Sequence, residues 1–255
     1  MLDINIFGGK DGKKDISFPR YRQFVKSLYR DNLNCAIPVV QDADIQRVYP
    51  RMIAWQFPDL ELLDWLYEYV EKSAEEGEAS RGVCAHGNEN GVDLEIKDSY
   101  DVPMRMHDYP IDQRNMSDFL LGTLTLDNWI KHCAMEYIMH NPMYRDKSLA
   151  IEDTLLQYQF YYPGGGFKTL HSERGFQTGN FTMQQRELVF MIYLNDIVDK
   201  DNNGGTHFVN HDLTLPCKKG LTCIFPAGPD FCHAGAVHES ERKAIVTGWI
   251  VTDNK

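Results

Sequence analysis

The sequence predicts an α+β protein: a helical and mixed first half, residues 1 to 149, supports an all-β second half, residues 150 to 255, within one compact domain. Three observations predict it. Two stretches of the first half, beginning near residues 58 and 117, place apolar residues at helical spacing. From about residue 150 the segments become short, aromatic and β-branched, separated by clusters of Gly, Asn, Asp and Pro. No repeat, low-complexity tract or long linker forces a domain boundary between the halves. Many short strands with turn signals between them indicate a β-sandwich, jelly roll or barrel.

The bulk composition is that of a globular chain of 255 residues, 43% hydrophobic and 25% charged, long enough for one well-buried core. The net charge of −11 argues against a broad nucleic-acid-binding face, which needs a positive balance to displace counterions from phosphate. The N-terminus, MLDINIFGGKDGKKD, has no apolar run of signal-peptide length, and no later stretch approaches a membrane span. The six cysteines show no CxxC spacing. A cytoplasmic protein with reduced thiols is the expectation.

Taken in order, Ser17, Phe18 and Pro19 offer a helix start, and Tyr21, Phe24, Val25 and Leu28 follow at helical spacing. Seven Lys or Arg between Lys10 and Arg30 make this a solvated face or a docking surface for an acidic partner. Residues 36 to 40 and 51 to 57 read as strands. Pro58 and Asp59 open a helix with Leu62, Leu63, Leu66, Tyr69 and Val70 on one face. Residues 81 to 92 read as an exposed loop, in which Cys84 and His86 are incidental rather than a metal pair. Residues 93 to 96 and 102 to 107 are expected strands. Ser117 then caps a long helix carrying Leu120, Leu121, Leu124, Trp129, Ile130, Cys133 and Tyr137. His132 and His140 on that helix lack a carboxylate partner and read as packing or surface residues. In the second half, residues 155 to 162, 167 to 173, 188 to 194, 206 to 209, 221 to 225 and 243 to 251 are expected strands.

Chemistry concentrates between Gln157 and Trp249. His171 and Glu173 stand two residues apart, so on a strand both side chains leave on the same side and reach one ion. A third ligand must come from another strand, and His233 in PDFCHAG is the best candidate. Two histidines and one carboxylate on one face of a metal leave positions open, the arrangement of non-haem Fe(II) oxygenases. Alone, an HxE pair is weak. The Gly164–Gly166 run lacks the Lys-Ser/Thr and the following helix of a phosphate loop.

The order YYPGGGF, HSE, MIYLND, GGTHF, KKGLTCIFPAG, HAG and KAIVTGW resembles the Fe(II)- and 2-oxoglutarate-dependent dioxygenases, specifically their prolyl 4-hydroxylase-like branch. The similarity covers roughly residues 150 to 252. The resemblance implies a double-stranded β-helix (jelly roll) core with supporting N-terminal helices, and iron held by His171, Glu173 and His233. Lys243 falls where the family places the basic residue that pairs with the distal carboxylate of 2-oxoglutarate. Arg242 is its rival, since adjacent strand residues face opposite ways and only one can point inward; the spacing favours Lys243. Tyr162 and Tyr193 match positions whose hydroxyls line the same pocket. The implied activity uses Fe(II), 2-oxoglutarate and molecular oxygen, with ascorbate as an optional reductant. It hydroxylates an unactivated C–H bond and releases succinate and CO2. A protein or peptide side chain, proline first, is the expected substrate, with a small molecule as the other class. One departure is Glu173, where most relatives carry Asp; its extra methylene needs a shifted strand or a different rotamer. Two other readings stand beside this one: a cupin-like metal-binding or small-ligand-binding module without oxygenase activity, and a degenerate jelly roll used for assembly.

Overall fold

The computed structural model describes residues 51–84, 91–104, 118–151, 156–174, 185–198 and 204–252, together with the backbone of 45–49. The expected helix near residues 17 to 30, the strand at 36 to 40, His86 and the Ser117 cap lie outside the described residues. In chain order the elements are β1 (Ile45–Tyr49), β2 (Met52–Gln56), α1 (Leu60–Glu75), β3 (Ser80–Arg81), β4 (Lys97–Asp98) and β5 (Tyr100–Met104). There follow α2 (Asp118–His140), β6 (Leu149–Ile151), β7 (Leu156–Tyr161), β8 (Gly166–Phe167), β9 (Arg186–Tyr193) and β10 (Thr206–Phe208). The last are β11 (Leu213–Leu215), β12 (Leu221–Pro226), β13 (His233–Gly235) and β14 (Lys243–Thr252). The described chain is mostly β-sheet with two long helices.

A nine-stranded antiparallel sheet runs β1-β2-β12-β9-β14-β7-β5-β3, with β6 also on β14. A smaller sheet runs β11-β10-β13. Strands from both sides of residue 150 therefore share the large sheet. Alternation sorts its side chains onto two covered faces. Outward go Ile53, Trp55, Tyr158, Phe160, Leu188, Phe190, Ile192, Ile224 and Val246, which pack with the helices. Inward go Met52, Ala54, Tyr161, Val189, Met191, Tyr193, Cys223 and Ile245, which pack with Phe208 and Leu215 of the small sheet. Burial on both faces is why LVFMIY and AIV read as continuous apolar runs.

Each helix is held to the outer face by specific contacts. Asp59 caps α1 by accepting from the Leu62 N–H at 3.2 Å, and Leu62, Leu63, Leu66 and Val70 are buried. Gly77, at φ 75°, ends the helix by letting the Glu78 N–H return to the Ser73 carbonyl. From α2, Trp129 Nε1 donates to Thr222 Oγ1 at 2.9 Å, Tyr137 Oη donates to the Arg51 carbonyl, and Thr123 bonds the buried Tyr158 hydroxyl. His132 is buried beside Trp129, and burial lowers its pKa; His140 is exposed at the helix end.

Two expectations are corrected. Residues 94 to 96 form a turn, because Asp93 draws the Glu95 N–H to its carboxylate and the Ile96 and Lys97 N–H groups to its carbonyl. Pairing begins only at Lys97, opposite Phe167. The expected strand over 167 to 173 is interrupted: β8 ends at Phe167, Lys168 to Leu170 are exposed, and the chain pairs again only at His171. Five described cysteines, Cys84, Cys133, Cys217, Cys223 and Cys232, are free thiols. No helix among the described residues is long and apolar enough to cross a membrane.

Candidate metal centre

His171 and His233 face each other in an antiparallel bridge, each N–H donating to the other's carbonyl at 2.9 Å. Directly opposed residues send their side chains to the same side, and the two rings lie 4.4 Å apart. Each imidazole is oriented by its own backbone: His171 Nδ1 bonds the Thr169 carbonyl and His233 Nδ1 the Phe231 carbonyl, both at 2.9 Å. A carbonyl only accepts, so Nδ1 is a protonated donor in each ring, and each Nε2 is turned into the site. Phe167 stacks on His171 at 3.7 Å and Phe208 flanks His233, so aromatic packing fixes the ring planes.

Glu173 completes the cluster. Its Oε1 lies 3.5 Å from His171 Nε2 and 3.8 Å from His233 Nε2, and the three donor atoms fall within 4.8 Å of one another. Ligands about 2.0–2.2 Å from one ion lie roughly 3 to 4 Å apart, so this donor set fits a metal after a small contraction. Its other oxygen, Oε2, accepts from Trp249 Nε1 at 2.9 Å and from Arg186 Nη1 at 3.4 Å. Burial alone would raise the Glu173 pKa, but the hydrogen bond with His171 and the nearby His171, His233 and Arg186 hold it at about 2. Burial lowers His233 to about 4, helped by His171. The cluster thus presents a carboxylate and a neutral, buried His233 imidazole at neutral pH, which are the ligating forms.

Lys243 opens β14 opposite Tyr161 of β7. It is 5% exposed, with Nζ donating to the Gly204 carbonyl at 2.9 Å and the Ala236 carbonyl at 3.2 Å, and lying 4.9 Å from the centre of the Tyr161 ring. Among the described residues no carboxylate pairs with it. A Cβ on Gly235, two residues after His233, would stand 3.7 Å from Nζ, which puts the ammonium beside the strand that carries the histidine. Arg242 points the other way and binds Glu71 and Glu75 of α1, both at 2.8 Å. Alternation from Arg242 into β14 therefore sends the lysine inward and the arginine to the helix layer.

The tyrosines divide in the same manner. Tyr193 is fully buried on the inner face and donates to Thr206 Oγ1 at 2.8 Å. Tyr162 is brought to the opposite side, against Tyr100 and Phe160 and 5.4 Å from the Arg242 guanidinium, so its expected position in the pocket is corrected. The inner residue is its neighbour Tyr161, whose hydroxyl donates to Gln159 at 2.5 Å. Burial pushes the hydroxyls of Tyr161 and Tyr193 well up, so both remain protonated donors. Sequence reasoning missed Tyr161, Trp249 and Arg186 as neighbours of the site. Pairing of Tyr161 with Lys243 identifies the first, and that signal is not local.

No family model matches the chain, and the search of curated proteins returns no match. Solved structures do match. The viral collagen prolyl hydroxylase of Paramecium bursaria Chlorella virus-1, as its 2OG complex, is 19% identical over 80% of this chain and 97% of that one, with a TM-score of 0.54. A Pseudomonas putida prolyl-4-hydroxylase is 14% identical, covering 91% of this chain and 100% of its own, at 0.55. A prolyl hydroxylase from Trichoplax adhaerens, in complex with a hypoxia inducible factor oxygen degradation domain peptide fragment, is 12% identical over 91% and 90% of the two chains, at 0.58. The resemblance carried by the motifs is thus matched by a shared fold.

Proposed function

We propose that the chain is a prolyl 4-hydroxylase-like Fe(II)- and 2-oxoglutarate-dependent dioxygenase. The observation that carries the reading is one inner face holding His171, Glu173 and His233 together with an ammonium, Lys243, that no carboxylate among the described residues neutralises. Strand order supports a double-stranded β-helix, β12-β9-β14-β7 in one sheet facing β11-β10-β13 and the His171 bridge in the other. Sharing of the large sheet by both halves supports one compact domain.

In this reading His171, Glu173 and His233 hold Fe(II). The bound ion and co-substrate supply the oxidising power, taking 2-oxoglutarate and oxygen to succinate and CO2 as a C–H bond is hydroxylated. The protein's part is binding, orientation and exclusion of water. Lys243 accepts the far carboxylate of 2-oxoglutarate, exchanging carbonyl partners for a full ion pair; its burial supports it over Arg242. Tyr161 and Tyr193 supply protonated hydroxyls and aromatic walls on the same face. The substrate is a protein or peptide side chain, with proline first; the peptide-bound Trichoplax structure supports that choice. Ascorbate is an optional reductant in this reading, and the cytoplasm its proposed compartment.

The test is anaerobic. Metal-free protein receives Fe(II) and then 2-oxoglutarate, and the visible charge-transfer band of a chelated 2-oxo acid is followed. The band is expected in the wild type and lost in His171→Ala and His233→Ala. A folded, iron-binding wild type without the band sinks the oxygenase reading and leaves the cupin-like module.

A further inference from the structure

We propose that Trp249 and Arg186 form a positioning clamp on the outer oxygen of Glu173, so that this centre is fitted to the longer carboxylate. The inference rests on the metal assignment above. Glu173 divides its two oxygens between two tasks. Oε1 faces the histidine Nε2 atoms, whereas Oε2 is turned to the large sheet, bound by Trp249 Nε1 at 2.9 Å and by Arg186 at 3.4 Å. The donors stiffen each other, since the Arg186 guanidinium lies 3.4 Å over the Trp249 ring. They stand on adjacent paired strands, with Trp249 opposite Val189 and Arg186 opposite Val251.

The backbone beside the carboxylate is also anchored. Arg174 N–H donates to the Ala227 carbonyl at 2.8 Å, its Nε to the Arg186 carbonyl at 2.6 Å, and its Nη2 to Glu187 at 2.8 Å. With the chain held there, the side chain must bridge from one sheet's edge to donors on the other. Glutamate spans that gap. Aspartate is shorter by about 1.5 Å and meets either the histidine side or the tryptophan, not both. The indole N–H holds Oε2 away from the ion, leaving a single carboxylate oxygen for it. Trp249 and Arg186 therefore act through Glu173, as outer partners that orient a ligand.

Co(II), a spectroscopic stand-in for Fe(II), tests the clamp without turnover. Its affinity and visible ligand-field bands are measured in wild type, Trp249→Phe, Glu173→Asp and the double variant, with thermal unfolding of each metal-free protein as the folding control. Trp249→Phe keeps an aromatic ring beside Arg186 and removes the N–H together with part of the indole. It is expected to weaken Co(II) by about 10–100-fold and to alter the bands. Glu173→Asp is expected to lose a similar factor, and in its background Trp249→Phe adds no further loss. Wild-type affinity and bands in Trp249→Phe overturn the clamp, as do losses that multiply in the double variant. Should Trp249→Phe misfold, Arg186→Gln replaces it: a weakened, spectrally altered site supports the clamp, and a wild-type site overturns it. Failure of the wild type to bind Co(II) overturns the metal assignment itself, a result distinct from wild-type binding that Trp249→Phe leaves untouched.

Discussion

Lys243→Met asks whether the buried ammonium is kept for a ligand or for the fold. Burial lowers the Lys243 pKa from 10.5 to about 8, against a smaller raising effect of Cys217. At 1.36 kcal/mol per pH unit, that difference is about 3 kcal/mol held against the folded metal-free protein wherever the side chain is charged. The sign follows from proton counting. Below pH 8 the lysine is protonated both folded and unfolded, and the full cost is present. Between pH 8 and 10.5 the unfolded chain holds a proton that the folded chain has released, so stability rises with pH. Methionine fills the same space without the charge. It forgoes hydrogen bonds to the Gly204 and Ala236 carbonyls, together about 2 kcal/mol. At pH 7 the variant should be about 1 kcal/mol more stable than the wild type. Urea unfolding of the metal-free proteins at pH 7 and pH 10.5 measures this, and the wild type should gain about 3 kcal/mol on the variant across that interval. Binding of 2-oxoglutarate should run the other way, strongest below pH 8, falling about tenfold per pH unit above it, and absent in the variant. A variant less stable than wild type at both pH values by the same margin would refute the reasoning, because the ammonium would then be a structural asset.

Arg242→Ala should leave the 2-oxoglutarate requirement unchanged and cost at most about 1 kcal/mol in urea unfolding, since its guanidinium ties β14 to Glu71 and Glu75 in partial contact with water. A raised 2-oxoglutarate requirement would mean that the strand phase is reversed. Lys97→Met should be far more damaging, about 3–5 kcal/mol: it leaves Asp101, 4% exposed and 2.6 Å from the lysine, as an uncompensated buried carboxylate. Replacing both partners with apolar residues should recover most of that loss, and equal losses in the single and double variants would show that the pair is not the cause.

What the sequence made legible was local, and what it hid depended on pairing across long separations. The facing of His171 and Glu173 needs only the two-residue period of an extended chain. The helix over 60 to 75 announces itself through Asp59 and its apolar face. Tyr161 and Tyr162 could not be told apart in this way, because both faces of β7 are covered and FYY carries no polar alternation from which to read the phase. The phase comes from β14, which sets Lys243 opposite Tyr161 across 82 positions of chain. One register therefore decides two assignments together: the tyrosine that turns inward and the cation that does. Trp249 was hidden for a related reason. As the end of KAIVTGW it marks a strand, but its N–H meets Glu173 from 76 residues away, and the ordinary spacing of HxE carries no sign of that partner. The departure from Asp was the one local hint. A longer carboxylate needs something to reach for beyond the histidines, and on this chain that partner is the indole of the strand that Lys243 begins.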